Sequence, residues 1–69
     1  MKFSERLREL RKEKKETQVQ TAKAVEITSR QLQELEAGKS FPTFHTLWAF
    51  ADHFGVSVDY LMGRTDERA

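Results

Sequence analysis

Apolar residues recur along this chain at intervals of three and four rather than in alternation, which predicts helices and no strands. Phe3, Leu7 and Leu10 mark a first helix over about residues 3–14, whose other faces are Glu, Arg and Lys. Thr17 is placed to cap a second, about 18–25, with Ala22 and Val25 inward. Thr28 is placed to cap a third, about 29–36, which carries only two large apolar residues, Leu32 and Leu35, and ends before Gly38. After "KSFPT" comes a fourth helix, about 44–54, capped by Thr43. Its predicted inward residues are Phe44, Leu47, Phe50, Ala51 and Phe54. Gly55 stops it, and "VSVDYLM" reads as a short fifth helix, about 57–62, ended by Gly63. The last residues, 64–69, form a polar tail expected to fray. The expectation is an all-α, compact five-helix domain occupying the whole of residues 1–69.

Composition narrows what such a domain does. Sixty-nine residues without cysteine exclude disulfides and thiolate metal sites, and two histidines without an HExxH motif give no zinc site. Neither metal nor cofactor is expected. A small core without such staples supplies only about 3–5 kcal/mol. No apolar run approaches the ~20 residues of a membrane span, and "MKFSERLREL" has no apolar signal region, so the expected compartment is the cytoplasm. The net charge of +1 conceals an asymmetry: residues 1–15 carry seven Lys and Arg against three Glu, residues 16–69 five against eight acids. On the first helix Arg8, Lys12 and Lys15 are interleaved with Glu5, Glu9 and Glu13, as on a solvated helix with pairs one turn apart. With no glycine-rich phosphate loop and no spaced nucleophile, histidine and acid, an enzyme is not expected.

The second and third helices, joined by a short connection, have the requirements of a helix-turn-helix. Ala22 is small where the two helices cross, Ile27 plugs the turn, and Leu32 and Leu35 hold the third helix by one edge. The free edge can then enter a groove of DNA. In that motif the N-terminal end of the second helix goes deepest, which makes Ser29, Arg30, Gln33 and Glu34 the candidate base readers. Arg30 has two open roles, a bidentate pair with guanine or a phosphate contact. Glu34 can accept from a cytosine amino group or repel phosphate, and Gln31 faces sideways. Thr43 and the amides opening the fourth helix offer a phosphate site.

In "RLRELRKEK" (6–14), "TQ" (17–18), "LQELEAGKS" (32–40), "PT" (42–43) and "FADHFGVSVDYLMGR" (50–64), the chain resembles the phage-repressor (Cro/repressor-like, XRE) helix-turn-helix DNA-binding proteins. The likeness implies double-stranded DNA as partner. It implies phosphate contacts by Gln18, Lys39 and Ser40, and a structural ion pair between Arg11 and Glu36. It also implies a homodimer through Val56, Val58 and Leu61 with Phe41 and Phe44 nearby, on half-sites one helical turn apart. The chain departs from the pattern at Glu26, where the turn usually has glycine, at Thr21, where an inward leucine is usual and packing should loosen, and at Phe41, in a loop often basic.

Two classes of function follow. The first is a sequence-specific DNA-binding regulator of repressor type. The alternative is a protein-interaction module, such as an antitoxin or adaptor, favoured by the low net charge, by Phe41 and by Trp48. Trp48 lies off the inward stripe and is either a core-edge residue covering Phe3 or a partner contact. His45 and His53 are expected at the surface.

Overall fold

The computed structural model describes residues 2–69. Five helices follow in order: α1 (Lys2–Glu13), α2 (Gln18–Ala24), α3 (Ser29–Glu36), α4 (Phe44–Phe54) and α5 (Val58–Met62). The fold is all-helical, and the described residues contain no strand. Four bounds differ from those the spacing predicts. α1 starts and ends one residue earlier, α2 stops before Val25, and α5 starts after Ser57, which is its N-cap.

Side-chain capping explains the starts. The Thr17, Thr28, Thr43 and Ser57 oxygens each accept from the backbone N–H three residues on. At α2 and α3 the third residue, Gln20 or Gln31, also reaches back to the N-cap amide and completes a capping box.

One device ends all five helices. An amide just beyond each helix bonds a carbonyl five residues back, at 2.9 to 3.1 Å: Glu16 to Arg11, Ile27 to Ala22, Lys39 to Glu34, Val56 to Ala51 and Arg64 to Asp59. The residue before each amide is left-handed. Three of these are glycines; the other two are Lys15 (φ 58°) and Glu26 (φ 61°). At Gly63 the chain also passes so close to α1 that a Cβ would lie 2.6 Å from Lys2 Cβ.

The core gathers Phe3, Leu7 and Leu10 of α1, Ala22, Val25, Leu32 and Leu35 of the α2–α3 unit, and Leu47, Phe50, Ala51, Tyr60 and Leu61 of α4 and α5. Phe3 meets Phe50 at 6.1 Å between ring centroids. Several expectations are corrected here. Phe44, placed inward by its spacing, is 74% exposed. As the first residue of α4 it precedes the turn that reaches the core, and it lies instead against Trp48. Trp48 is 54% exposed, more than a core-edge residue would be. Leu61, assigned to a dimer interface, is wholly buried, because α5 turns Tyr60 and Leu61 inward together.

The polar tail is tied down rather than frayed. Arg6, itself buried, donates to the Tyr60 and Thr65 carbonyls and pairs with Asp66 at 2.6 Å. Its guanidinium lies 4.1 Å from the Tyr60 ring centroid, a cation–π contact. Further along, Arg68 pairs with Glu13 at 2.8 Å, and its carbonyl accepts from the Ser57 amide at 2.6 Å. The hydrogen bonds from Arg68 hold the Glu13 carboxyl below its usual range, and the guanidinium's own pKa is raised.

Candidate nucleic-acid interface

α2 and α3 form the helix-turn-helix, and the connection runs through Val25, Glu26, Ile27 and Thr28. Ile27 is half-buried against the core, and Ala22 is buried where the helices meet. α3 turns three residues inward, not two. Leu32 and Leu35 are buried, and so is Glu36, at 5% exposure.

A buried carboxylate needs partners, and Glu36 accepts three hydrogen bonds from two residues. Arg11 Nε lies 2.6 Å from Oε2, and Arg11 Nη2 donates to Oε1 at 3.1 Å. Gln18 Nε2 donates to the same Oε1 at 3.1 Å. Arg11 also donates to the Glu16 carbonyl at 3.0 Å, which ties the end of α1 to the same knot. Arg8, expected to have only exposed neighbours, donates to the Glu36 carbonyl at 3.3 Å. Three helices thus meet at one carboxylate, at the C-terminal end of α3.

The other edge of α3 faces outward. Arg30 and Gln33 are exposed, and Ser29 and Glu34 half-exposed. Arg30, with its side chain 88% exposed, stands 3.9 Å from Glu34, one turn on. Arg30, Gln33 and Glu34 line one shallow groove together with Lys39, which the turn after α3 brings alongside them. Ser40 and Thr43 border the adjoining hollow, with Gln31 and Glu34 on its α3 side. The eight candidate contact residues therefore divide. Six, Arg30, Gln33, Glu34, Lys39, Ser40 and Thr43, line these two depressions, and Ser29 and Gln18 lie outside them; Gln18 and Thr43 also have prior engagements. Gln18 spends one amide hydrogen on Glu36 and keeps one. The Thr43 hydroxyl accepts from the Thr46 amide and donates to the Thr46 hydroxyl at 3.0 Å. Gln31 lies exposed on this side, with its carbonyl committed to the Thr28 amide.

Of the residues named for dimerisation, Phe41 and Phe44 are exposed, Val56 and Val58 half-buried, and Leu61 buried.

Sequence reasoning missed a second polar knot behind α2. Thr21, far from loosening the packing, is fully buried, and its hydroxyl donates to Glu16 Oε1 at 2.6 Å. The same oxygen lies 2.8 Å from His53 Nε2. His53 is thus held half-buried, its ring edge-on to Phe54, and not free at the surface. Desolvation works to raise the Glu16 carboxyl, but the bonds from His53 and Thr21 outweigh it and hold the group below its usual range. A threonine at an otherwise apolar inward position was the available signal, since a buried hydroxyl needs a partner.

Among the described residues no cluster of His, Asp and Glu could hold a metal ion, and no helix is long and apolar enough to cross a membrane.

This architecture defines a helix-turn-helix domain, and comparison with known proteins agrees. The chain belongs to the helix-turn-helix family, whose model matches residues 7–61. It is 39% identical to the cryptic phage CTXphi transcriptional repressor RstR of Vibrio cholerae, over 97% of this chain and 62% of that protein. It is also 39% identical to the HTH-type transcriptional regulator DdrOP3 of Deinococcus deserti, over 90% of this chain and 48% of the relative. With the HTH-type transcriptional activator BcrR of Enterococcus faecalis the identity is 32%, over 90% of this chain and 30% of the relative. The chain thus spans between about a third and two thirds of the length of these relatives.

Proposed function

We propose that the chain binds double-stranded DNA sequence-specifically and acts as a transcriptional regulator of repressor type, as a dimer on a palindromic site. The observation that carries this is the division of α3. One edge is anchored by Leu32, Leu35 and the Glu36 knot, while Arg30, Gln33, Glu34 and Lys39 share one open groove. The relatives, named as a repressor, a regulator and an activator of transcription, support the same reading. In it Ser29, Arg30, Gln33 and Glu34 read base edges, and Lys39, Ser40, the remaining amide hydrogen of Gln18 and, once it turns from Thr46, the Thr43 hydroxyl hold phosphates. The Arg11–Glu36 pair sets the angle of α3. Phe41, Phe44, Val56 and Val58 supply the dimer contact, without Leu61. Such a protein works in the cytoplasm, where it meets DNA, and controls a promoter by occupying it.

The test is selection of bound sites from random duplexes, then titration of wild type, Arg30→Ala and Lys39→Ala at several salt concentrations. If Arg30 pairs with guanine, its removal costs about 1–3 kcal/mol at one base pair per half-site. Removal of Lys39 weakens all duplexes alike and reduces the salt slope by about one per site. A wild type without preference for any duplex at low salt, and variants indistinguishable from it, would leave the protein-interaction module as the function. The exposed Phe41, Phe44 and Trp48 are the observation favouring that second reading.

A further inference from the structure

A hollow at the start of α1 is lined almost wholly by apolar side chains. It holds about 170 Å³ and is bounded by Phe3, Phe41, Pro42, Leu47 and Met62, with one charged residue, Lys2. Phe3 and Leu47 belong to the core and form its floor, while Phe41 and Met62, 80% and 48% exposed, stand as walls. The stem of Lys2 is held against the turn that ends α5. Its Cβ, Cγ and Cδ lie 2.6, 2.8 and 3.4 Å from where a Cβ on Gly63 would stand, so only glycine leaves room for it. Among the described residues Lys2 has no ion-pair partner. An apolar hollow with one polar group at its border has the make-up of a small-molecule site, in which the polar group sets the orientation.

We propose that this hollow binds a small monocyclic aromatic carboxylate of the size of phenylacetate, with its ring over Phe3 and Leu47 and its carboxylate on the Lys2 ammonium. Three features select that class. The first is size: a dry cavity of about 150 Å³ accepts a benzene ring, whereas a drug-sized ligand needs about 300 Å³ or more. The second is the wall. Phe3 and Phe41 offer ring faces and edges, and the Met62 thioether makes favourable contacts with an aromatic ring, so a ring gains more here than an alkyl chain. The third is charge. The lining holds one cation and no acid, which repels an amine and matches a singly charged anion.

The position gives such a ligand a use. Phe41 and Pro42 line this hollow and also the one beside Gln31 and Glu34, and they follow Lys39 and Ser40 directly in the chain. A ligand seated here leans on the loop to which phosphate contacts are assigned above, where an effector would sit. Its binding goes beyond the DNA reading and stands or falls apart from it.

The experiment titrates the full chain, labelled with ¹⁵N and without DNA, with sodium phenylacetate, toluene or sodium acetate at constant ionic strength, and follows the amide resonances. With about ten non-hydrogen atoms and an open site, phenylacetate should bind with a Kd on the order of 0.1–1 mM. The expected result is a saturable shift centred on the amides of Phe3, Phe41, Leu47 and Met62. Toluene moves the same amides with about threefold to fivefold lower affinity, the upper range of what an exposed ion pair contributes. Acetate gives no saturable shift. Lys2→Gln brings phenylacetate down to the affinity of toluene and leaves toluene unchanged, while Phe41→Ala weakens both. Circular dichroism checks that each variant folds. Phenylacetate that does not saturate, or that shifts a different set of amides, overturns the proposal, as does an affinity indifferent to Lys2→Gln. A dilution series without ligand runs beside it. Shifts of the same amides with protein concentration alone, with no response to phenylacetate, would give the hollow to a second copy of the chain and overturn the proposal too.

Discussion

Replacing Arg11 with alanine tests the knot that orients α3. In the folded chain the guanidinium grips both oxygens of Glu36, at 2.6 and 3.1 Å, and the Glu16 carbonyl at 3.0 Å. The side chains of Arg11 and Glu36 are 13% and 3% exposed, so water screens the pair little. Removing one partner of a buried pair leaves an uncompensated charge, at a cost of about 3–5 kcal/mol. Gln18 remains bonded to Glu36, and water can enter the vacated volume, which puts the loss near 3 kcal/mol, toward the lower end of that range. Arg8 makes one long bond, at 3.3 Å, from an exposed position, and its removal costs at most about 0.5 kcal/mol. Urea unfolding followed by circular dichroism separates the two. With a slope near 1 kcal/mol per molar, Arg11→Ala lowers the midpoint by about 3 M and Arg8→Ala by less than about 0.5 M. For a domain whose total stability is only about 3–5 kcal/mol, the first variant is close to unfolding in water. Arg11→Ala/Glu36→Gln removes the stranded charge while keeping its shape, and should recover part of the loss. Equal midpoints for Arg11→Ala and Arg8→Ala, or no recovery in the double variant, would refute the argument that a buried ion pair fixes α3.

Two further predictions concern the turn and the second knot. Glu26→Gly relieves a Cβ crowded at φ 61° but widens the unfolded ensemble, so stability should change by less than about 1 kcal/mol or rise; a larger loss in urea melts would show that the exposed Glu26 side chain does structural work. The Glu16 carboxyl is held below its ordinary value, so its contribution to stability is complete above the usual carboxylate range and is lost as pH falls through the depressed folded value. Thr21→Val removes one of the two bonds that depress it, and the acid limb of the melting temperature should move to higher pH; an unmoved limb would mean that Thr21 does not hold the carboxylate.

What the sequence revealed and what it hid have physical causes. Thr17, Thr28 and Thr43 stand one residue before their helices and announce them, because a cap is a local interaction legible within four residues. Leu32 and Leu35 announce the anchored edge of α3 in the same way. The spacing erred at Phe44 because periodicity gives the face of a helix and not the point along it where the core begins. Lys15 gave no sign that it ends α1 in a left-handed conformation, since lysine has no preference for one. Long-range polar contacts were the least visible. Glu16, Thr21 and His53 come from three segments, and nothing local says that a histidine 37 positions away will meet Glu16. The burial of Arg6 and its grip on the tail across 60 positions were hidden for the same reason, and that grip turns an apparently free tail into part of the domain.

The division of labour along α3 is the physical basis of the proposed activity. Structural obligations fall on Thr28 and Gln31, which close the capping box, on Leu32 and Leu35, which fill the core, and on Glu36, which ties three helices together. Ser29, Arg30, Gln33 and Glu34 carry almost none of this. Their one mutual contact, Arg30 to Glu34, is long at 3.9 Å and solvated, worth a few tenths of a kcal/mol at most. A helix fastened at both ends and along one edge presents the remaining side chains from a fixed backbone. Less freedom is then lost when they meet a base edge, and a mismatched base cannot be accommodated by tilting the helix. On the proposed reading the two sets of residues are distinct, so substitution at positions 29, 30, 33 and 34 should alter which sequence is read with little change in stability. Substitution at positions 11, 18 and 36 should act on every sequence at once, through the angle of the helix.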